Sequence, residues 1–306
     1  MKFMFTHPMH SHPYHPELVS ASGIATVAAA AEAAGFHGVG FTDHPAPTQR
    51  WLEAGGHDAL DPFVAMGFAA ARTTTLRLIP NVVVLPYRNP FIVAKSGATL
   101  DLLSEGRFTL AVGVGYLKGE FAALGVDFGD RAAVFEEALE VIRGIWTTDD
   151  FSYAGLHFTA RGITAHPRPA SKPHPPIWIG GNAAAARDRV TRYGDGWCPF
   201  PAPAALAQTA GTAAMDQQKL ADGIDDLRRR FDAAGRDPSA LDVSFTSTEG
   251  GNPGRDTFNA DAYLSGMEKL AALGVTWLQV GVPGDSLAHA LETIERFGES
   301  VIAVAG

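Results

Sequence analysis

LSEGRFTLAV, residues 103–112, is the stretch whose reading decides the fold. The end of a helical segment runs into Glu-Gly, and a strand-forming run follows at once. Glycine at 106 suits the left-handed turn that closes a helix, because it carries no Cβ to be strained there. The same order of helix, glycine and strand returns in AAGFHGVGF at Gly35, in RYGDGW at Gly194 and in AALGVTWLQV at Gly274. Strand-like runs fall at residues 2–5, 39–42, 76–85, 107–112, 176–179, 196–198, 243–246 and 277–280, with helix-period segments between them. Repetition of that unit predicts a parallel sheet covered by helices. Eight units in 306 residues are the size of an α/β (β/α)8 TIM barrel. No linker of contrasting composition divides the chain, so the expectation is a single barrel domain over residues 1–306, with loop insertions.

Composition narrows the function. Against 33 acidic side chains stand 24 basic ones, a formal charge of -9 with no compensating basic stripe, which argues against nucleic acid as a partner. The single cysteine, Cys198, excludes an intramolecular disulfide framework and a cysteine-based zinc site, and it fits a reducing compartment. The N-terminus lacks the pattern of a secretory signal and no apolar run is long enough for a membrane span. A cytoplasmic protein without a membrane partner is expected.

A barrel of this kind carries its active site on the loops that follow the strands. The first such loop holds His7 and MHSHPYH, residues 9–15; the second spans 43–62, the third 86–90 and the fourth 113–130. The segment HPRPASKPHPPI, residues 166–177, leads into the fifth strand at the opposite end and reads as a rigid connector.

Four strings could carry chemistry. His10-Ser-His12 has the spacing of a metal pair, but a barrel metal site also needs histidines after the fifth and sixth strands and an aspartate after the eighth. Those ends read WIGGN, GWCPF and LQVGVPGD, so no metal is expected, and pocket wall or polar loop remain as readings of His10 and His12. In FTDHPAP, Asp43 could orient a proton-transferring His44, or could merely cap a helix. In PIWIGGNAAAARDRV, Gly180, Gly181 and Asn182, the last as helix N-cap, could receive an anion at a helix start, or could form a tight turn only. In LAVGVGYLKGEF, the third glycine and ribose-binding acid of a nicotinamide site are missing. Its glycines would instead let a flat ring lie on the main chain, with Tyr116 as hydrogen-bond donor.

Taken together, GVGFTDH, NVVVLPYRNPFIVAKSGATLDLLSEGRFTLAVGVGYLKGEF, ALEVIRGIWTTDD and PPIWIGGN followed by YGDGWCPF resemble the luciferase-like flavin and deazaflavin oxidoreductases. The likeness covers the first two thirds of the chain and is strongest to the branch that uses coenzyme F420. It implies a barrel with the cofactor ring at its mouth, Asp43 and His44 beside the ring, and His44 as acid/base. It further implies a non-prolyl cis peptide between Asn81 and Val82 backing the ring, the main chain of Val114, Gly115 and Tyr116 along its border, and Gly180, Gly181 and Asn182 around its phosphate. Sugar-phosphate-oxidising relatives carry glutamate where Tyr116 stands and a tryptophan closer to the histidine than Trp51, so a sugar phosphate is not expected here. Trp51, His10 and His12 are assigned to the substrate side. The resulting expectation is an F420-dependent oxidoreductase acting on a small organic substrate, with a homodimer implied by the family. The alternatives are an FMN-dependent monooxygenase supplied with reduced flavin by a partner reductase, a metal-dependent barrel hydrolase, and a non-catalytic flavin-binding protein.

Overall fold

The computed structural model describes residues 1–209 and 212–306. Its strands are β1 (Lys2–Thr6), β2 (Gly38–Gly40), β3 (Arg77–Leu78), β4 (Val83–Val84), β5 (Leu110–Gly113), β6 (Phe151–Ala154), β7 (Thr159–Ile163), β8 (Ile177–Gly180), β9 (Gly196–Cys198), β10 (Asp242–Phe245) and β11 (Trp277–Val280). Nine of them form a parallel sheet in the order β3-β2-β1-β11-β10-β9-β8-β5-β4. Leu78 N–H donates to Arg107 O at 2.9 Å and Thr109 N–H to Leu78 O at 3.0 Å, which joins the first strand of that order to the approach of β5 and closes the sheet into a barrel.

The continuous third strand expected over 76–85 is in fact two pieces, β3 and β4, separated where the Asn81–Val82 peptide is cis. Counted as halves of one strand they restore the eightfold barrel. The sequence reading also omits the antiparallel hairpin of β6 and β7, which lies outside the barrel ahead of the proline-rich connector. Gly35, Gly106 and Gly274 have the expected positive φ. Gly194 does not: its φ is -103°, and it is needed because a Cβ there would come within 3.2 Å of Val190 Cα.

Side chains alternate across each strand, so one set faces the lumen and the other faces the surrounding helices. Met4, Ile79, Ala111, Trp178, Cys198 and Trp277 make one buried cluster, and Phe3, Phe5, Val39, Leu110 and Ile179 belong to the other. The two lumen tryptophans meet edge to face at 5.3 Å and fill the barrel's interior. Toward the carboxyl ends of the strands the lining turns polar. Asn81 Nδ2 donates to Thr6 Oγ1 at 3.0 Å and to Gln279 Oε1 at 3.1 Å, and Gln279 Nε2 donates to Ser244 Oγ at 3.1 Å. Among the described residues no helix is long and apolar enough to cross a membrane.

Candidate active site

The chain leaving β2 delivers Asp43 and His44 to the carboxyl end of the barrel, where the two side chains part. Asp43 is buried, and its oxygens accept from Arg88 Nη2 at 2.8 Å, Arg88 Nε at 3.3 Å and Val84 N at 2.9 Å. Arg88 also donates to Asp61 at 2.9 Å. Asp43 therefore ties the second loop to the segment after β4, and it makes no hydrogen bond to His44.

The carboxylate against His44 belongs to Glu120, on the short helix Lys118–Ala123 that follows β5. His44 Nδ1 lies 3.1 Å from Glu120 Oε2, which also accepts from the Tyr87 hydroxyl at 3.1 Å, while Oε1 accepts from Ala46 N at 3.1 Å. The Glu120 side chain has no exposed surface and that of His44 keeps 10%. With donors converging on Glu120, Nδ1 is the nitrogen that donates to it, and Nε2 is left free to accept or return a proton. Burial, then the charge of Glu120, pushes the Tyr87 hydroxyl above the usual tyrosine range, so it stays a donor.

Aromatic rings surround this histidine. The ring centroids of Trp51, His57 and Tyr116 lie 4.6, 5.0 and 6.3 Å from that of His44. His10 follows at 6.5 Å from His57. Trp51 is presented by the short helix Gln49–Glu53, whose start is capped by Thr48, and Tyr116 is exposed at the mouth. His57 Nδ1 is 3.0 Å from the carbonyl of Asp58, and since a carbonyl only accepts, that nitrogen carries the proton. Burial first, and then neighbouring imidazoles, hold both His57 and His10 below the ordinary histidine value.

The remaining histidines of the first loop have other tasks. His12 Nδ1 is 3.0 Å from Asp58 Oδ2, which also accepts from Tyr14 N at 3.1 Å, so this pair staples the first loop to the second. His7 is buried, bonded through Nε2 to Leu18 O at 2.8 Å and stacked on Phe41, and burial pushes it down to about 4. His10 and His12 thus face different partners. Among the described residues no three His, Cys, Asp or Glu side chains are grouped to hold a metal ion.

Val82 stands half-buried at the rim, where its methyl groups fill the space that a side chain at residue 113 would need, 2.9 Å from a Cβ built on Gly113. Half-buried Val114 and Gly115 continue from β5. Gly115 has φ +76°, and a Cβ there would lie 2.5 Å from Val84 Cγ1, so backbone shape and packing account for this glycine without a ring against it. Beyond β8, Gly180 and Gly181 lead to a buried Asn182 that is not the expected N-cap. Its Nδ2 donates to Phe200 O and Ala213 O, each at 3.0 Å, and its Oδ1 accepts from Phe200 N at 3.0 Å. The amide is used up in clamping the chain after β9, and the cap position of helix Ala184–Tyr193 falls to Ala183, with no side-chain cap bond. Residues 183–185 are exposed at the start of this helix, where the Ala186 amide already donates to Ala183 O at 2.9 Å.

Sequence reasoning gives no role to Glu120, His57, Tyr87 or Arg88. Glu120 stands inside LAVGVGYLKGEF, but nothing local links it to a histidine 76 residues earlier. A groove of about 610 Å³ between residues 253–260 and the helix Leu287–Phe297 shares none of these side chains.

Comparison with known proteins gives the family. The family model described as luciferase-like monooxygenase matches residues 1–249. An FMNH(2)-dependent dimethylsulfone monooxygenase of Pseudomonas putida is 37% identical over 128 residues, covering 41% of this chain and 35% of that protein. An F420-dependent glucose-6-phosphate dehydrogenase of Beutenbergia cavernae is 36% identical over 172 residues, covering 55% of this chain and 49% of that protein. The chain therefore spans about a third and about half of the length of these two relatives. The crystal structure of monooxygenase RslO1 from Streptomyces bottropensis superposes over 100% of both chains with a TM-score of 0.84 at 20% identity, a likeness of fold. With the family pattern running through β1 to β10 and the closed barrel beneath it, this chain belongs to the luciferase-like monooxygenase family.

Proposed function

We propose that this protein is an F420-dependent oxidoreductase that exchanges hydride with a small organic substrate at the barrel mouth, with His44 as acid/base. The observation that carries the reading is the His44–Glu120–Tyr87 arrangement, a proton-handling imidazole held by a buried carboxylate in a half-enclosed site. The residues present suit a flat ring with an anionic tail. Val82 offers an apolar edge at the rim, Tyr116 an exposed ring, and the start of helix Ala184–Tyr193 an exposed end without a side-chain cap. A bound deazaflavin would supply the hydride chemistry. The chain's own residues do the rest. His44 Nε2 takes the proton of a substrate hydroxyl as it is oxidised, or returns one to a carbonyl in the reverse direction. Glu120, through Nδ1, favours the positive ring that forms in between, and Tyr87 and Ala46 fix the carboxylate.

The FMN reading rests on the Pseudomonas putida relative, whose name specifies reduced FMN. In that case a partner reductase supplies the reduced flavin and molecular oxygen is consumed. Oxygen uptake in the presence of reduced FMN, measured beside F420 turnover, separates the two. A homodimer is part of the proposal: Val64, Phe68 and Ile92 are exposed on neighbouring helices Pro62–Ala70 and Pro90–Leu103, and the first of these, PFVAMGFAA, has no polar side chain. His44→Ala should abolish most turnover with either cofactor, and full turnover by that variant would remove the acid/base role.

A further inference from the structure

We propose that His10, Trp51, His57 and Tyr116 form a substrate subsite that selects an uncharged, hydroxyl-bearing ring compound. This rests on the reading of the barrel mouth as the place of reaction, and it names what that mouth accepts.

The hydrogen-bonding capacity of the wall is one-sided. His57 spends its Nδ1 proton on Asp58 O and His44 spends its own on Glu120. Neither Nε2 has a partner among the described residues, and neither is a buried orphan. Two imidazoles packed edge to face, with centroids 5.0 Å apart, therefore each keep an acceptor nitrogen without a partner in this wall. A third imidazole, His10, adjoins His57 from the first loop. Burial, and then crowding among these rings, holds His57 and His10 below the ordinary histidine value, which favours their neutral forms. Such a wall binds a donor, and a hydroxyl is a neutral group that supplies one.

The charges nearby exclude an anion. Glu120, Asp43, Asp58 and Asp61 lie within or behind the wall. The one guanidinium packed among them, Arg88, is bonded to both Asp43 and Asp61. Lys118, two residues beyond Tyr116, rests its ammonium 5.2 Å above the Phe128 ring, and Arg50 is on an exposed position of the Trp51 helix. A carboxylate or phosphate placed against His57 would meet lone pairs and negative charge, while the guanidinium packed there is already paired with two aspartates. Trp51, 5.5 Å from His57, and Tyr116 give flat surfaces for a ring.

The test is a ligand-observed NMR titration of the purified protein, with and without F420, using phenol and cyclohexanol against benzoate and cyclohexanecarboxylate at pH 7.5. The neutral probes should bind at least tenfold more tightly than the carboxylates. His57→Leu, which removes the acceptor, should weaken phenol about tenfold. His57→Gln, which keeps an acceptor, should stay within threefold of the parent, and Trp51→Leu should weaken both ring probes. Carboxylates binding as well as the alcohols would overturn the proposal, as would native phenol affinity in folded His57→Leu. If alcohol binding follows this pattern while neither F420 nor FMN binds, the subsite stands and the oxidoreductase reading falls.

Discussion

Replacing Glu120 by glutamine isolates the charge beneath His44. The change conserves size and lets Oε1 go on accepting from Ala46 N, but an amide NH2 takes the place of the oxygen that now meets His44 Nδ1 and the Tyr87 hydroxyl. Two donors would then face a donor, or the imidazole would have to adopt the opposite tautomer and surrender its free Nε2. A hydrogen bond to a charged group contributes about 1.5–3 kcal/mol, and most of it is felt when His44 becomes positive during proton transfer. At about 1.4 kcal/mol per tenfold in rate, kcat should fall roughly 10- to 100-fold. Substrate binding does not use Glu120 directly, so KM should stay within about threefold, the signature of an interaction made in the transition state. The assay is steady-state turnover with a confirmed substrate, with a urea melt to establish that the variant is folded. A folded Glu120→Gln enzyme with kcat within twofold of the parent would refute the role given to this carboxylate.

Three further outcomes follow from the same geometry. Arg88→Met should destabilise the fold by about 3 kcal/mol in urea unfolding, since it strands the buried Asp43 without its counter-charge, and adding Asp43→Asn should recover part of the loss. His7 is held at about 4 by burial, so between pH 6.5 and 4 the unfolded chain binds a proton that the folded chain refuses. Stability therefore drops as the pH falls through that window, by about 3 kcal/mol for this group, and His7→Gln should show a correspondingly shallower acid limb. Phe68→Asp should convert a homodimer to monomer in sedimentation, and an unchanged mass would locate any dimer contact elsewhere.

Much of the barrel was legible because several strands are announced by local chemistry: a helix end, a glycine at positive φ at Gly35, Gly106 and Gly274, and then an apolar run. The break in the third strand was read through: Pro80-Asn81 interrupts the apolar residues of 76–85, but nothing local specifies a cis bond at Asn81–Val82, and only the family likeness marked it. The hairpin of β6 and β7 was hidden by its position outside the eightfold rhythm. At the site, His44, Tyr116 and His10 were picked out by their places on loops after strands and Trp51 by the family likeness, and the structure brings these rings together. Their partners were not, because Glu120 and Tyr87 reach His44 through the closure of the barrel, from strand ends far along the chain. Asp43 and Asn182 show the reverse case. Asp43 is delivered to the barrel mouth as expected and Asn182 falls one residue short of the cap position, and the polar atoms of both are spent on Arg88 and Val84, and on Phe200 and Ala213, contacts that adjacency in sequence cannot announce.

The central claim is that a ring-shaped deazaflavin seats at this mouth with its anionic tail at the start of helix Ala184–Tyr193. An anaerobic difference-spectrum titration of the purified protein with F420, repeated with Ala184→Glu, tests it most directly. Saturable one-to-one binding that the added carboxylate weakens at least tenfold is the expected result. No spectral change with F420, alongside saturable FMN binding and oxygen uptake, would contradict it.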